Sequence, residues 1–236
     1  MKKDPYLLGS LNTALALLDI LSHYDKISLA NLSAKANVNK SVAFRCLYTL
    51  EKNGYVEKTA DAQYTLGIKF LYYGNLLAAR QDLVSIARPV LQRLAAGCKL
   101  AAHLSSLSRD RVVTIHKEES PYDIQVTARV GMNAPACATA MGRAILAYLP
   151  EKELSALLAG YTYRRYSPSS VTSAEACRRL LADVRRKGYA TDYDDRFPGF
   201  GSAACPVFDR TGAVTAAVGV VGLAQTIQAR EAAYAA

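Results

Sequence analysis

Asn39, Lys40, Ser41, Arg45, Tyr48 and Lys52 place a short amide, a hydroxyl, long cations and a phenol within one short stretch of chain. Ser41, Arg45, Tyr48 and Lys52 recur at steps of four, three and four, so on a helix they share one face, with Lys40 and Phe44 flanking it. The opposite stripe, Ala43, Cys46, Leu47 and Leu50, is apolar. This face offers hydrogen-bond donors and positive charge, the chemistry that double-stranded DNA demands. A helix fits the major groove, its N-terminal residues reach base edges, and its flanking cations meet phosphates. The nearest acid, Glu51, lies near the far end. An ordinary amphipathic helix with a solvated basic face would show the same spacing, and the spacing alone does not separate the two.

The neighbouring elements do. Ser10 is an expected N-cap for a first helix in which Leu11, Ala14, Leu15, Leu17, Leu18 and Leu21 recur at helical spacing as far as Tyr24. A short helix from Leu29 to Ala36 is entered through Ser28, and Asn37-Val38 makes a tight break. Asn39 caps the basic helix, which runs from Lys40 to Asn53 and stops at Gly54. Two strands follow, Tyr55–Lys58 and Gln63–Leu66, joined by the polar turn Thr59-Ala60-Asp61-Ala62. Three helices and a small hairpin make a winged helix, and the hairpin in that place favours DNA contact. The candidate contact set is Asn39, Lys40, Ser41, Val42, Phe44, Arg45, Tyr48, Lys52 and, on the hairpin, Lys58.

The remaining titratable and nucleophilic residues form no such constellation. Cys46, Cys98, Cys137, Cys177 and Cys205 contain no CxxC pair, and His23, His103 and His116 are as dispersed, so neither a metal nor another cofactor is expected. The odd number of cysteines argues against a disulfide framework. No Ser/His/Asp arrangement, carboxylate pair or phosphate-binding glycine loop is recognisable. The formal charge of +9 over 236 residues makes a polyanion a plausible partner. No segment resembles a signal peptide or a membrane span, so no membrane partner and a cytoplasmic location are expected.

Beyond a helix leading out of the hairpin, from Ile68 to Asn75, a longer one is expected over 82–100, with Pro89 marking a kink or restart. The domain boundary is placed near Arg80-Gln81-Asp82, which gives a DNA-binding part over 1–80 and a second domain over 81–236. Strands are expected at Ala102–Leu107, Arg111–His116, Ile124–Val130, Ser202–Phe208 and Val214–Val221. Helices are expected at Cys137–Tyr148, Glu151–Ala159 and from the capping box Thr172-Ser173-Ala174-Glu175 to Lys187, with a short Ala-rich one over 224–236. The basic residues of the third of these read as a solvated face, because Leu180, Leu181 and Val184 supply its buried stripe. Strands and helices mixed in this order indicate an α+β domain with an antiparallel sheet flanked by helices.

Val38-Asn39-Lys40-Ser41-Val42-Ala43-Phe44-Arg45-Cys46-Leu47, then Leu50-Glu51-Lys52-Asn53-Gly54-Tyr55-Val56 and the wing exit Tyr64-Thr65-Leu66-Gly67, resemble the helix-turn-helix of the IclR family of transcriptional regulators. Val42 stands where that family usually has Thr, so one hydroxyl is missing. Ile86 to Leu94, Gly131 to Pro135, Ala138 to Ala147, Lys187 to Asp195, Gly199 to Val207 and Ala213 to Gly222 extend the resemblance over nearly the whole chain. It implies a GAF-like effector-binding domain, a small-molecule effector, and a homodimer or homotetramer.

Carried over residue by residue, the resemblance implies effector contacts at the backbone of Gly131 and Met132, and at Asp192, Ser202, Gly219 and Val221. The family commonly has Cys at the Ser202 position, and Ser at the Gly219 and Val221 positions in members that bind small keto acids. Losing two hydroxyls, with Gly219 opening space, suits a larger or more apolar acid. Gly219 and Val221 as mere strand core is the competing reading. Two other functions compete: a GAF-like cysteine redox enzyme using Cys137 or Cys205, and a DNA-binding dimer without an effector.

Overall fold

The computed structural model describes residues 6–79, 82–120 and 129–231. The chain divides into two compact units, Met1–Gln81 and Asp82–Ala236.

The first unit contains α1 (Gly9–Leu21), β1 (Ile27–Ser28), α2 (Leu29–Lys35), α3 (Lys40–Lys52), β2 (Val56–Lys58), β3 (Gln63–Leu66) and α4 (Lys69–Ala79). Ser10 does not cap α1. The helix begins one residue earlier, after Leu8, with no side-chain cap. The other local signals act as their chemistry requires. Ser28 accepts the Asn31 amide, Asn37 adopts φ +52, and Asn39 accepts the Ser41 amide at 2.8 Å. Leu17, Leu21, Leu32 and Leu47 close a core with Ala43, Val56 and Tyr64. Each of those leucines contributes about 1.5–3 kcal/mol by leaving water. β1, which the sequence pattern does not show, pairs antiparallel with β3 and makes the wing a three-stranded sheet in the order β1-β3-β2. Gly67 lies so close to the chain before β2 that a Cβ would run into the Gly54 carbonyl oxygen, which gives the wing exit its physical reason.

The second unit contains α5 (Asp82–Cys98), β4 (Ala101–Ser108), β5 (Arg111–Glu118), β6 (Asn133–Pro135), a 3-10 turn (Ala136–Ala138), α6 (Ala140–Leu146), α7 (Glu151–Ala159), α8 (Ala174–Lys187), β7 (Ala190–Tyr193), β8 (Phe200–Phe208), β9 (Val214–Leu223) and α9 (Ala224–Ala229). Six strands form one antiparallel sheet in the order β6-β5-β4-β9-β8-β7. Alternation along each strand sorts the two faces. Ala102, Leu104 and Ala216 pack with Ala87, Leu91 and Ala95 of α5. On the other face Val112, Ala190, Ala204 and Ala217 pack against α6, α7 and α8. The unit is therefore a sheet covered by helices on both sides.

Several expectations shift. α5 runs through Pro89 without a restart. Ser173, not Thr172, caps α8 by accepting the Ala176 amide, and Gly188 ends that helix at φ +84. Pro135 ends a short edge strand and a 3-10 turn precedes α6, so that helix starts three residues later than the apolar pattern suggests. The strand expected at 124–130 lies almost wholly outside the described residues, as do Arg80-Gln81 and the end of the helix expected over 224–236. No helix among the described residues is long and apolar enough to cross a membrane.

Candidate DNA interface and effector cavity

On α3 the buried residues are Ala43, Cys46 and Leu47, and Ser41, Arg45, Tyr48 and Lys52 point away from them. All four are exposed, together with Lys40, Val42, Phe44 and Lys58. Aromatic and cationic groups are interleaved on this surface. The Phe44 and Tyr48 rings lie 6.2 Å apart, and the Lys52 ammonium stands 5.3 Å from the Tyr48 ring. Lys58 on β2 stands 5.9 Å from the Tyr64 ring. Val42 and Arg45 also line the groove between α1 and α3. The side-chain oxygen of Asn39 accepts the Ser41 amide at 2.8 Å, which leaves both N–H donors of its side-chain amide for a partner. At the wing tip Asp61 would repel a polyanion, but Lys26 pairs with it at 2.7 Å. With Thr59, that pairing holds its carboxyl down to about 2.

In the second unit a cavity of about 340 Å³ lies on the face of the sheet away from α5. β4 contributes His103 and Ser105, β5 Val112 and Thr114, and β9 Val221. Asp192, Ser202, Met132 and Met141 come from four further segments. Of the six expected effector contacts, Met132, Asp192, Ser202 and Val221 thus share one wall. Gly131 and Gly219 do not line it. Gly131 makes the turn that presents Met132, at φ +87, its amide donating to the Thr114 carbonyl at 2.8 Å. Gly219 opens no space, because a Cβ there would run into the Ala203 carbonyl oxygen and Ala204 on β8. The glycine lets β8 and β9 approach.

Asp192 anchors one side of the cavity. Its carboxylate accepts the Ala140 amide at 2.7 Å and the Ser202 hydroxyl. Burial pushes its pKa up against those hydrogen bonds. Behind it, buried Arg143 donates Nε to the Cys137 carbonyl and Nη1 to the Thr191 carbonyl, both at 2.9 Å, and Nη2 to the Asp195 carboxylate. One guanidinium therefore holds the 3-10 turn, α6, β7 and the chain beyond β7 in register. Asp195 is fixed in turn through its carbonyl, which accepts the Ser170 hydroxyl at 2.7 Å.

The sequence pattern gave no sign of His103 or Arg196 as cavity residues. His103 is 3% exposed and its Nε2 has no hydrogen-bond partner. Burial, with the Lys117 charge, pushes it down to about 4, so it is neutral near pH 7. Strict alternation along β4 does carry a retrospective signal, since His103 and Ser105 interrupt an otherwise apolar stretch on one face. The redox alternative meets a physical obstacle. Cys137 and Cys177, forty positions apart in sequence, bring their thiols to 3.1 Å. The contact with Cys177 and burial hold the Cys137 thiol protonated, the opposite of an activated nucleophile. Burial likewise pushes Cys205 up.

Comparison with known proteins decides the family. The family described as "Bacterial transcriptional regulator IclR C-terminal" matches residues 76–236, and the "IclR helix-turn-helix domain" matches residues 10–60. The chain belongs to the IclR family of transcriptional regulators. Among its IclR relatives, the HTH-type transcriptional regulator KdgR of Escherichia coli is 31% identical over 93% of this chain and 84% of its own length. The regulator XynR of the same organism is 30% identical over 95% and 90%. An IclR transcriptional regulator from Alicyclobacillus acidocaldarius has a crystal structure that superposes with a TM-score of 0.80 at 31% identity, covering 98% of this chain and 94% of that one. IclR proteins are regulators and not enzymes, which agrees with the protonated, enclosed state of Cys137.

Proposed function

We propose that this IclR-family regulator reads duplex DNA with α3 and the wing while the cavity of its second unit holds a small organic acid. The observation that carries the DNA part is the exposed face of α3, where Ser41, Arg45, Tyr48 and Lys52 stand directly opposite the buried stripe. In this reading Lys40, Ser41 and Arg45 reach base edges and phosphates, while Lys52 and Lys58 add backbone contacts. Val42 and Phe44 supply apolar surface, and Asn39 positions the helix start. The domain assignment follows: residues 1–80 bind DNA and 81–236 bind the effector. The protein acts in the cytoplasm, where its DNA lies.

Arg45→Ala is expected to weaken binding to any duplex and to lower the slope of log affinity against log salt by about one, because one phosphate contact is lost. A titration of a generic duplex over a range of salt reads both. An unchanged affinity and slope would remove Arg45 from the interface. Ser41→Ala should weaken binding less, as the loss of a neutral donor.

The regulator further works as a homodimer, or as a tetramer built from dimers. One winged helix meets one half-site, and a two-fold pair is needed for two. Leu11 and Leu15 on α1, with Leu71 and Tyr72 on α4, are each more than half exposed, apolar surface that a second copy would cover. Light scattering at micromolar concentration should give a mass of two or four chains. A monomer that keeps full DNA affinity would overturn this.

A further inference from the structure

Phe44 on α3 is a large apolar side chain that the core does not use. It is 45% exposed, and with Val42 and Tyr48 it stays outside the cluster that Leu17, Leu21, Leu32 and Leu47 close. The buried residues of the helix are Ala43, Cys46 and Leu47, so Phe44 falls on the flank of the exposed face, one turn after Lys40 and one turn before Tyr48. The Phe44 and Tyr48 rings lie 6.2 Å apart at a tilt of 33° and form one apolar strip. The Lys52 ammonium stands 5.3 Å from the Tyr48 ring, which brings a charge to that half of the strip and leaves the Phe44 half purely apolar. Exposed Lys40, Ser41, Arg45 and Lys52 border the strip, and the nearest acid, Glu51, lies near the far end of the helix. A second copy of this face would bring like charges together, whereas a polyanion complements them.

We propose that Phe44 is a base-reading residue, its ring resting on the C5 methyl group of a thymine in the major groove. There guanine presents acceptors, adenine an acceptor and a donor, and cytosine a donor, while thymine adds a methyl group to its acceptor. A phenyl ring has no conventional donor or acceptor. Pressed on a polar base edge it strips water and returns no hydrogen bond, but pressed on a methyl it takes apolar surface out of water on both sides. Phe44 stands in the first two turns of α3, the part of such a helix that reaches base edges. It therefore sets sequence preference, whereas the cations around it set affinity for any duplex. The proposal rests on α3 being the helix that enters the groove.

The test uses the full chain and the duplex that it enriches from a randomised pool. Thymines of that duplex are replaced one at a time by deoxyuridine, which removes the methyl group and keeps every hydrogen-bonding group. At one thymine or more, affinity is expected to fall about fourfold for each methyl removed. In Phe44→Ala the thymine and deoxyuridine duplexes should bind alike at that position. Phe44→Leu, which keeps an apolar side chain, should retain a preference for thymine. Circular dichroism and light scattering check that both variants keep the fold and mass of the wild type. Equal binding of thymine and deoxyuridine at every position, or a preference undiminished in Phe44→Ala, overturns the proposal. So does a Phe44→Ala protein of altered mass with the preference intact, which would give the residue to contact between chains. Arg45→Ala separates the two levels of the reading. If it weakens binding while deoxyuridine makes no difference, the methyl assignment falls and α3 remains the DNA-reading helix. If neither Arg45→Ala nor Phe44→Ala changes affinity for the duplex, both fall.

Discussion

Arg143→Ala is expected to cost the second unit about 3–5 kcal/mol of stability, enough to threaten its folding. The loss is large because the change removes three hydrogen bonds at once and leaves the Asp195 carboxylate buried without its counter-charge. Asp195 is 6% exposed, so water cannot replace the guanidinium. Arg143→Lys should recover only part, since a single ammonium cannot reach the Cys137 carbonyl, the Thr191 carbonyl and Asp195 together. The double variant Arg143→Leu with Asp195→Leu should be more stable than Arg143→Ala, because no uncompensated charge remains. Urea unfolding of the full chain, followed by circular dichroism, measures all three. A loss below about 1 kcal/mol in Arg143→Ala would mean that the network is not what holds α6 to β7.

The second large effect is on response. Ser202→Phe should fill the cavity and abolish the stabilisation of the wild type by an acid, while affinity for DNA without ligand is unchanged. Ser202 is 5% exposed and stands in the same wall as Asp192 and Val221, so a benzyl group can only project into the space a ligand would use. Operator and effector sites are distinct, and a regulator links them through a shared conformational equilibrium, so blocking one site silences the link without removing the other. Ser202→Ala is the control. It also loses the hydrogen bond to Asp192 but keeps the room, and should still respond. The measurement is thermal unfolding with and without an acid that stabilises the wild type, paired with duplex binding. A Ser202→Phe protein that still responds in full would place the effector elsewhere.

Much of this architecture is legible before any coordinates. Helix caps and breaks are local chemistry, so Ser28, Asn37, Asn39, Gly54 and Gly188 all mark their boundaries from sequence. Ser10 and Thr172 mislead because a cap needs the right backbone entry as well as a hydroxyl, and Leu8 and Ser173 occupy those positions instead. β1 and β6 are too short to carry an alternation of their own and exist through their partners, Tyr64 with Gln63 and Arg111 to Val113. The cavity is legible only in part. Asp192, Ser202, Met132 and Val221 come with the family resemblance, whereas His103 and Arg196 are brought to the cavity by β4 and by the chain beyond β7. Gly219 shows the limit of transfer by position. An absent side chain reads as space, yet here it is close contact between two strands.

β4 presents His103 and Ser105 to the cavity and Ala102 and Leu104 to α5, residue by alternate residue. The two faces of this strand are therefore not independent surfaces, because every peptide unit between them is shared. Leu104 is fully enclosed and packs against α5. α5 is also the first element of its unit, the one that the chain enters on leaving the DNA-binding unit. His103 and Leu104 are neighbours in the chain, so on this strand the cavity wall and the surface packed against α5 are one residue apart.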